Sequence, residues 1–503
     1  MKSSRCSSNK IKEISSKRQF PYFIVTAVLL VILSFMLKTA GVGFLIISAV
    51  LFSILSALLI ICKNKGVFIL FLLLALFCVR SVTVINSIEK INKLDGIDDT
   101  VEVTVVSTQT TPEQGNVRNC TAKVKNSLYL NKNTTVSLVL FGAKSYEIGD
   151  SFTALVSYQK IDGDLRHTYF SEGVYIKAVV KEEYGETKTQ NGIYSLAGKL
   201  RRHITSRILN NTDNSHVLMA VLTGDKAYMS DKFYDTVKCA GVSHILVVSG
   251  MHMAIICVGI ERILRLIIRN KFIESTITLL LVFFMCVLFG MSMSVIRAGI
   301  VYLIRAVYNL MGRNVSNLHS LAFAALTVIF IHPFALHSVV FRLSYASTLG
   351  ILVLPQLFDE KFKDYTKKSN VLRVIANAFY VSVSAYITTL PICISVFGYV
   401  SVVSVLCNVL VSLAATYMLS FTVLAVVFGF IPIIERAFYI LADMLADYFV
   451  KMVEFFGGLS FSTVSIRNPE LLTALLLISY LILYIIIFKP YKFLKRGEVI
   501  ADR

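Results

Sequence analysis

The 503-residue chain is 55% hydrophobic and carries 50 Lys and Arg against 31 Asp and Glu, a formal charge of +19. A mean hydropathy of +0.70, gathered into repeated apolar runs, excludes an ordinary soluble globule, because such runs can cross a hydrocarbon core of about 30 Å. The positive charge needs no nucleic acid to explain it, since membrane proteins collect Lys and Arg in cytoplasmic loops.

Residues 1–19 form a basic leader (Lys2, Arg5, Lys10, Lys12, Lys17 and Arg18, opposed by Glu13) before a first apolar run from Phe20 to Leu37. No small-residue cleavage pattern follows and further runs begin at Gly41 and Gly66, so the first run reads as a retained span, not a signal peptide. Three N-terminal transmembrane helices, 20–37, 41–62 and 66–85, then occupy residues 20–91. The leader is placed in the cytoplasm with Lys63 and Lys65, and the polar segment after Ile85 outside. A basic tail, 489–503, with Lys489, Lys492, Lys495 and Arg496, puts the C-terminus in the cytoplasm as well.

Between 92 and 190 the pattern changes to five short β-branched runs, 101–106, 121–124, 135–140, 152–156 and 175–180, separated by turns at Gly142, Gly149-Asp150 and Asp162-Gly163. This predicts a small extracytoplasmic β-domain, an OB-like barrel. Residues 91–190 hold eleven Lys and Arg against thirteen Asp and Glu, so the domain lacks an overall basic footprint. DNA contact there would rest on stacking by Tyr158, Tyr169 or Tyr175; the competing reading packs these rings inside the barrel. Cys120 has no cysteine partner in this segment, and the nine cysteines include no C-x-x-C, so no disulfide framework is expected for the β-domain.

Residues 191–240 read as amphipathic, interfacial helices. From Ile193 to Ile208 apolar positions alternate with Lys199, Arg201, Arg202, His203 and Arg207, as in a basic helix lying on headgroups. Leu222-Thr223-Gly224-Asp225-Lys226 and a short helix through Tyr234 follow. Residues 241–488 form a multi-helix domain with spans expected near 245–268, 275–296, 298–311, 318–332, 336–357, 371–396, 401–431, 436–457 and 470–488.

At the mouth of this domain, the stretch from Gly241 to His252 places His244, Ser249, Gly250 and His252 before an apolar run. Ionisable groups inside a bilayer cost about 2.5–3.5 kcal/mol on insertion scales, so such a cluster marks a functional site. Three readings compete: a Ser249-His252 nucleophile, a two-histidine metal site short of ligands, and an architectural role for Ser249-Gly250 in which the histidines bond backbone carbonyls or substrate phosphates. The architectural reading is favoured, with no metal and no cofactor. Downstream, Ser294, Arg297, Arg305 and Tyr308 fall within an arc of about 80° on one helix, a cationic rail unless its arginines snorkel or pair with Asp443 or Asp447. Further stripes, Asn377, Tyr380, Ser384, Thr388 and Pro391, then Ser401, Ser404, Asn408, Ser412 and Ala415, serve either helix packing or a hydrated cavity.

These residues resemble the ComEC family of competence proteins, inner-membrane channels for single-stranded DNA in natural transformation. Leu222 to Lys226 is similar to the family's L-x-G-D-[KR] element and Gly241 to His252 to its G-x-x-H-[IL]-L-x-x-S-G-x-H signature. Arg297-Ala298, Gly312-Arg313, His332-Pro333, Leu343-Ser344-Tyr345 and Asn408 support the match, and Ile148-Gly149-Asp150, Tyr169-Phe170 and Gly173-Val174 resemble the end of the family's outer domain. The chain departs from the family in lacking a proline shortly after Asn408, where Ser412 or Leu413 stands, and in showing no H-x-H-x-D-H of the metallo-β-lactamase-like domain. No G-x-x-x-x-G-K-[ST] is present either.

The resemblance implies an α-helical polytopic membrane protein with a small extracytoplasmic OB-like β-domain, placed in the bacterial cytoplasmic membrane. Its partners would be single-stranded DNA, an external DNA receptor, a cytoplasmic ATPase or helicase motor, a separate nuclease and the lipid bilayer. The candidate conduit residues are Asp225, His244, Ser249, Gly250, His252, Arg297, Tyr302, Arg305, Tyr308, Arg342 and Asn408. The rival readings are an intramembrane Ser/His hydrolase, a secondary transporter of a small anion, and a degenerate member that does not conduct.

Overall fold

The computed structural model describes residues 42–61, 65–109, 117–141, 146–163, 166–189, 192–311, 313, 315–366 and 370–479. The basic leader, the expected span 20–37 and the tail 489–503 lie outside them. The described residues fall into two compact units, one of 42–231, 244–342 and 413–449, the other of 232–243, 343–412 and 450–479.

In the first unit, helices α1 (Val42–Ile61) and α2 (Lys65–Asn92) pack side by side, burying Leu45, Ala49 and Cys78. Helix α2 serves two environments. Its apolar body is long enough to cross a membrane, whereas Val84 and Ile88 near its end join a cluster with Ile161, Phe170 and Val174, and Ile91 packs against the core of the β-domain.

That β-domain is a closed five-stranded barrel of order β1-β2-β3-β5-β4, built from Asp98–Gln109, Val117–Asn126, Thr135–Phe141, Asp150–Lys160 and Ile176–Thr189. All pairings are antiparallel except β3 with β5, which gives an OB-like barrel. The period-2 pattern sends Val101, Val103 and Val105, then Val136, Leu138 and Leu140, inward. Each expected β-run lies within or overlaps a strand. A short helix, α3 (Arg166–Ser171), between β4 and β5 was not anticipated.

Helix α4 (Ile193–Asn211), expected to rest on headgroups, pairs three of its arginines within the protein. Arg201 is buried between carboxylates, Arg202 Nη1 lies 3.1 Å from Asp150 Oδ1 and Arg207 Nη1 lies 2.8 Å from Glu435 Oε2. Lys199 and His203 remain exposed. Carboxylates of the same unit neutralise these three arginines.

Helices α5 (Ser215–Thr223) and α6 (Asp231–Ala240) and a single 3₁₀ turn at Ser243–Ile245 lead to α7 (Gly250–Ile267), α8 (Lys271–Leu288), α9 (Met293–Leu310) and α10 (Asn317–Ile331). The expected span 275–296 is divided: Gly290 and Met291 adopt left-handed backbone, φ 74° and 56°, and reverse the chain between α8 and α9. Helices α11 (Val339–Thr366), α12 (Asn370–Phe397), α13 (Ser404–Val427) and α14 (Pro432–Gly457) follow, and a shorter apolar helix runs over Pro469–Ser479. Within the second unit, an unanticipated two-stranded pair, β6 (Tyr399–Ser401) with β7 (Thr463–Ser465), closes the segment after α12. Five helical segments among the described residues are long and apolar enough to cross a membrane: 71–92, 243–267, 293–310, 373–397 and 404–427. Shorter apolar helices flank them; α14, expected as a span over 436–457, is not among the five.

Candidate functional site

The segment from Leu222 to Lys226 is a helix stop. Gly224 caps α5 in left-handed conformation, φ 76°, its N–H donating to Ala220 O at 3.0 Å. The Asp225 amide donates to Thr223 Oγ1 at 3.3 Å, and Asp225 Oδ1 accepts from the Ala227 amide at 3.0 Å. A Cβ at 224 would lie 3.2 Å from Val248 Cγ2, so the turn seats directly on the residue before Ser249.

Ser249 is the N-cap of α7, and His252 stands where a capping box holds Glu or Gln. Ser249 Oγ accepts from the Met251 amide at 3.2 Å, and His252 Nδ1 accepts from the Ser249 amide at 3.1 Å, with Oγ 2.9 Å away. His252 thus holds the backbone N–H of the residue that caps its own helix. The imidazole is fully buried. His244, in the 3₁₀ turn, is exposed.

Arg297, near the start of α9, is 8% exposed. A Cβ built on Gly250 would come within 2.6 Å of Arg297 Nη2, so the guanidinium lies against the first residue of α7. Helix amino ends carry partial positive charge and disfavour cations. Two positive elements therefore converge, and an anion placed there would be stabilised by both.

The expected rail divides along α9. Ser294 and Arg297 are buried, whereas Arg305 donates to Asn317 Oδ1 at 2.6 Å and Tyr308 is exposed. Tyr302, expected as a stacking face, is partly buried against the apolar cluster that includes Val282 and Cys286. Arg342 is half-buried with its Nε lacking a hydrogen-bond partner. Asp443, considered as a partner for these arginines, accepts from the Asn214 amide at 2.9 Å. In the second unit the polar stripes pack. Asn408 Nδ2 donates to Ser382 Oγ at 2.8 Å, Ser401 Oγ to Cys239 O at 2.7 Å and Ser404 Oγ to Gly241 O at 3.2 Å. A Cβ at Gly350 would meet Thr388 Oγ1 at 2.4 Å, so close helix approach occupies that stripe.

Among the barrel tyrosines, Tyr158 follows the packing reading, whereas Tyr169 and Tyr175 are partly exposed. Tyr158 is wholly buried, its hydroxyl donating to Asp99 Oδ2 at 2.9 Å; burial raises its phenol above the ordinary value. Tyr175 packs edge-on against Phe170, and Tyr169 lies under Lys177 Nζ, 5.2 Å from its ring centre. Open aromatic faces of the barrel include Tyr129, 52% exposed, and Phe141, 65% exposed, with Tyr184 of β5 also exposed. Phe141 was legible: Val136, Leu138 and Leu140 point inward, so the next residue points out.

Residues 221–491 match the family model described as competence protein. Over 211 residues, 41% of the chain, the sequence is 25% identical to ComE operon protein 3 of Bacillus subtilis (strain 168). The match spans 26% of that relative's length. No solved structure matches the chain.

Proposed function

The chain belongs to the ComEC family of competence proteins, whose model covers more than half of it, and on that premise we propose that it passes single-stranded DNA across the bacterial cytoplasmic membrane during transformation. The observation that carries the reading is Arg297 held against Gly250 at the amino end of α7. A guanidinium and the amino end of a helix both attract anions, and a polynucleotide backbone supplies one phosphate per nucleotide without any demand for sequence. Lys125 and Lys132 on the barrel, with the open faces of Tyr129 and Phe141, suit capture of a strand outside. Force, duplex presentation and strand degradation are assigned to partners: a cytoplasmic ATPase, an external receptor and a separate nuclease. Both termini are placed in the cytoplasm.

Uptake of labelled DNA by cells carrying Arg297→Ala tests the proposal, with membrane insertion measured alongside. Uptake should fall by tenfold or more, in line with loss of about 1.4 kcal/mol at one obligatory phosphate contact. Uptake at the unmodified level with normal insertion removes Arg297 from the passage. A small-anion transporter using the same arginine would instead give saturable uptake of a small solute and no dependence on DNA.

One observation favours a hydrolase: Ser249 Oγ lies 2.9 Å from His252 Nδ1, within reach for proton transfer. The same pairing recurs at the start of α10, where Ser316 Oγ lies 2.7 Å from His319 Nδ1 and accepts from the His319 amide at 3.3 Å. A Ser-x-x-His unit used twice at helix starts is a capping device. Ser249→Ala should accordingly cost about 1 kcal/mol of stability and leave DNA uptake intact; abolished turnover of a substrate would reinstate the hydrolase.

A further inference from the structure

The turn from Tyr146 to Asp150, between β3 and β4, does not end at the barrel. Its Ile148 is fully buried, in a cluster with Ala197, Val248, Met253, Val295 and Ala298. Val248 precedes Ser249 and Ala298 follows Arg297, so a side chain of the outer domain packs beside both halves of the candidate site. The seat is tight at backbone level. A Cβ on Gly198 would lie 1.8 Å from Ile148 O, and one on Gly149, φ 89°, would lie 2.5 Å from Tyr194 O. Any side chain at either position would lift the turn off α4.

Charge surrounds this seat. Arg201, 4% exposed, lies with Nε 3.7 Å from Glu147 Oε2 and Nη2 3.8 Å from Asp225 Oδ2. Asp150 closes the turn by accepting from the Glu147 amide at 2.9 Å, and Arg202 holds its other oxygen at 3.1 Å. Arg201 therefore separates two carboxylates, one from the barrel and one from the loop that rests on Val248. Without its charge they would repel across a buried gap.

We propose that the turn Tyr146–Asp150 is a plug linking the outer β-domain to the amino end of α7, and that Arg201 is the positioning residue that keeps it seated. Displacement of the barrel, as when it takes up a strand, then reaches Ser249, Gly250 and His252 through Ile148 and Asp225. The biological use of this coupling rests on the DNA-conduit reading; the coupling itself is a property of the protein alone.

Titration of Glu147 reports on the seat. Burial raises its carboxyl above the ordinary value, Arg201 and Arg202 of α4 oppose that rise, and Asp225 and Asp150 add to it. A carboxyl whose value is higher when seated than when open to water stabilises the seated form in acid. That contribution is lost as pH rises through the raised value.

The test is amide hydrogen exchange on the full chain in lipid nanodiscs, without DNA. Arg201→Gln should accelerate exchange at residues 249–253 by about tenfold while β4 amides keep their protection, and Arg201→Lys should restore part of it. In the unmodified protein, exchange at 249–253, corrected for intrinsic chemistry, should quicken as pH rises, and Glu147→Gln should remove that step. Unchanged exchange at 249–253 in Arg201→Gln overturns the proposal, as does equal acceleration throughout the barrel, which would mean general destabilisation. Neither result bears on Arg297, whose uptake test stands separately.

Discussion

Gly250 lacks a side chain where Arg297 needs room: a Cβ at 250 would approach Nη2 to 2.6 Å. The two residues are one arrangement, so Gly250→Ala should act through the guanidinium. The contact is with the far end of a flexible side chain, and its displacement should cost only about 1 kcal/mol of stability. DNA uptake should fall towards the Arg297→Ala level, and the double variant should be no worse than the single one. Normal uptake by Gly250→Ala, with Arg297→Ala still defective, would show that the guanidinium works from another position.

Tyr158 and Phe141 should behave in opposite ways. Tyr158→Phe removes a donor from Asp99, which is 2% exposed; the cost should be about 1–2 kcal/mol in thermal or denaturant unfolding, with DNA affinity unchanged. Combined Tyr129→Ala and Phe141→Ala should leave stability alone and weaken oligothymidylate binding about tenfold, the scale of one lost stacking contact. Weakened binding by Tyr158→Phe at full stability would return that residue to the interface.

The barrel and the helical body were legible because each rests on local pattern: period-2 runs and long apolar runs. What the sequence could not convey is pairing across long separations. Arg207 meets Glu435 and Arg201 meets Glu147 and Asp225, so a helix that looks like a membrane-surface helix is neutralised by acids far away in the chain. The same limit applies along α9: residues at helical spacing share a face, yet Arg297 is buried with its guanidinium beside Gly250 while Tyr308, eleven residues on, is exposed. Helical angle fixes direction from an axis, and only packing decides what stands in that direction.

Asn408 should prove a packing residue. Its amide donates to Ser382 across helices of the second unit, and such interhelical bonds contribute about 0.6 kcal/mol on average in membranes. Asn408→Ala should lower stability in detergent by that order, Ser382→Ala should do the same, and the double variant should match either single. DNA uptake should persist in all three. Loss of uptake in Asn408→Ala with retained stability would place the amide in the passage.

His216, in α5, gives a pH signature. Burial holds its imidazole below the ordinary value, with Asp443 opposing. The unfolded chain therefore takes up a proton before the folded one, so the contribution of this group is fully present above about pH 6.5. It is lost progressively as pH falls from there through the depressed folded value. Melting temperature in detergent should drop between pH 7.5 and the acid side of that range, and His216→Gln, which cannot be protonated, should show a smaller drop. An identical acid response in the variant would assign the pH dependence to other groups and leave His216 as a neutral packing residue of the helix that precedes Gly224.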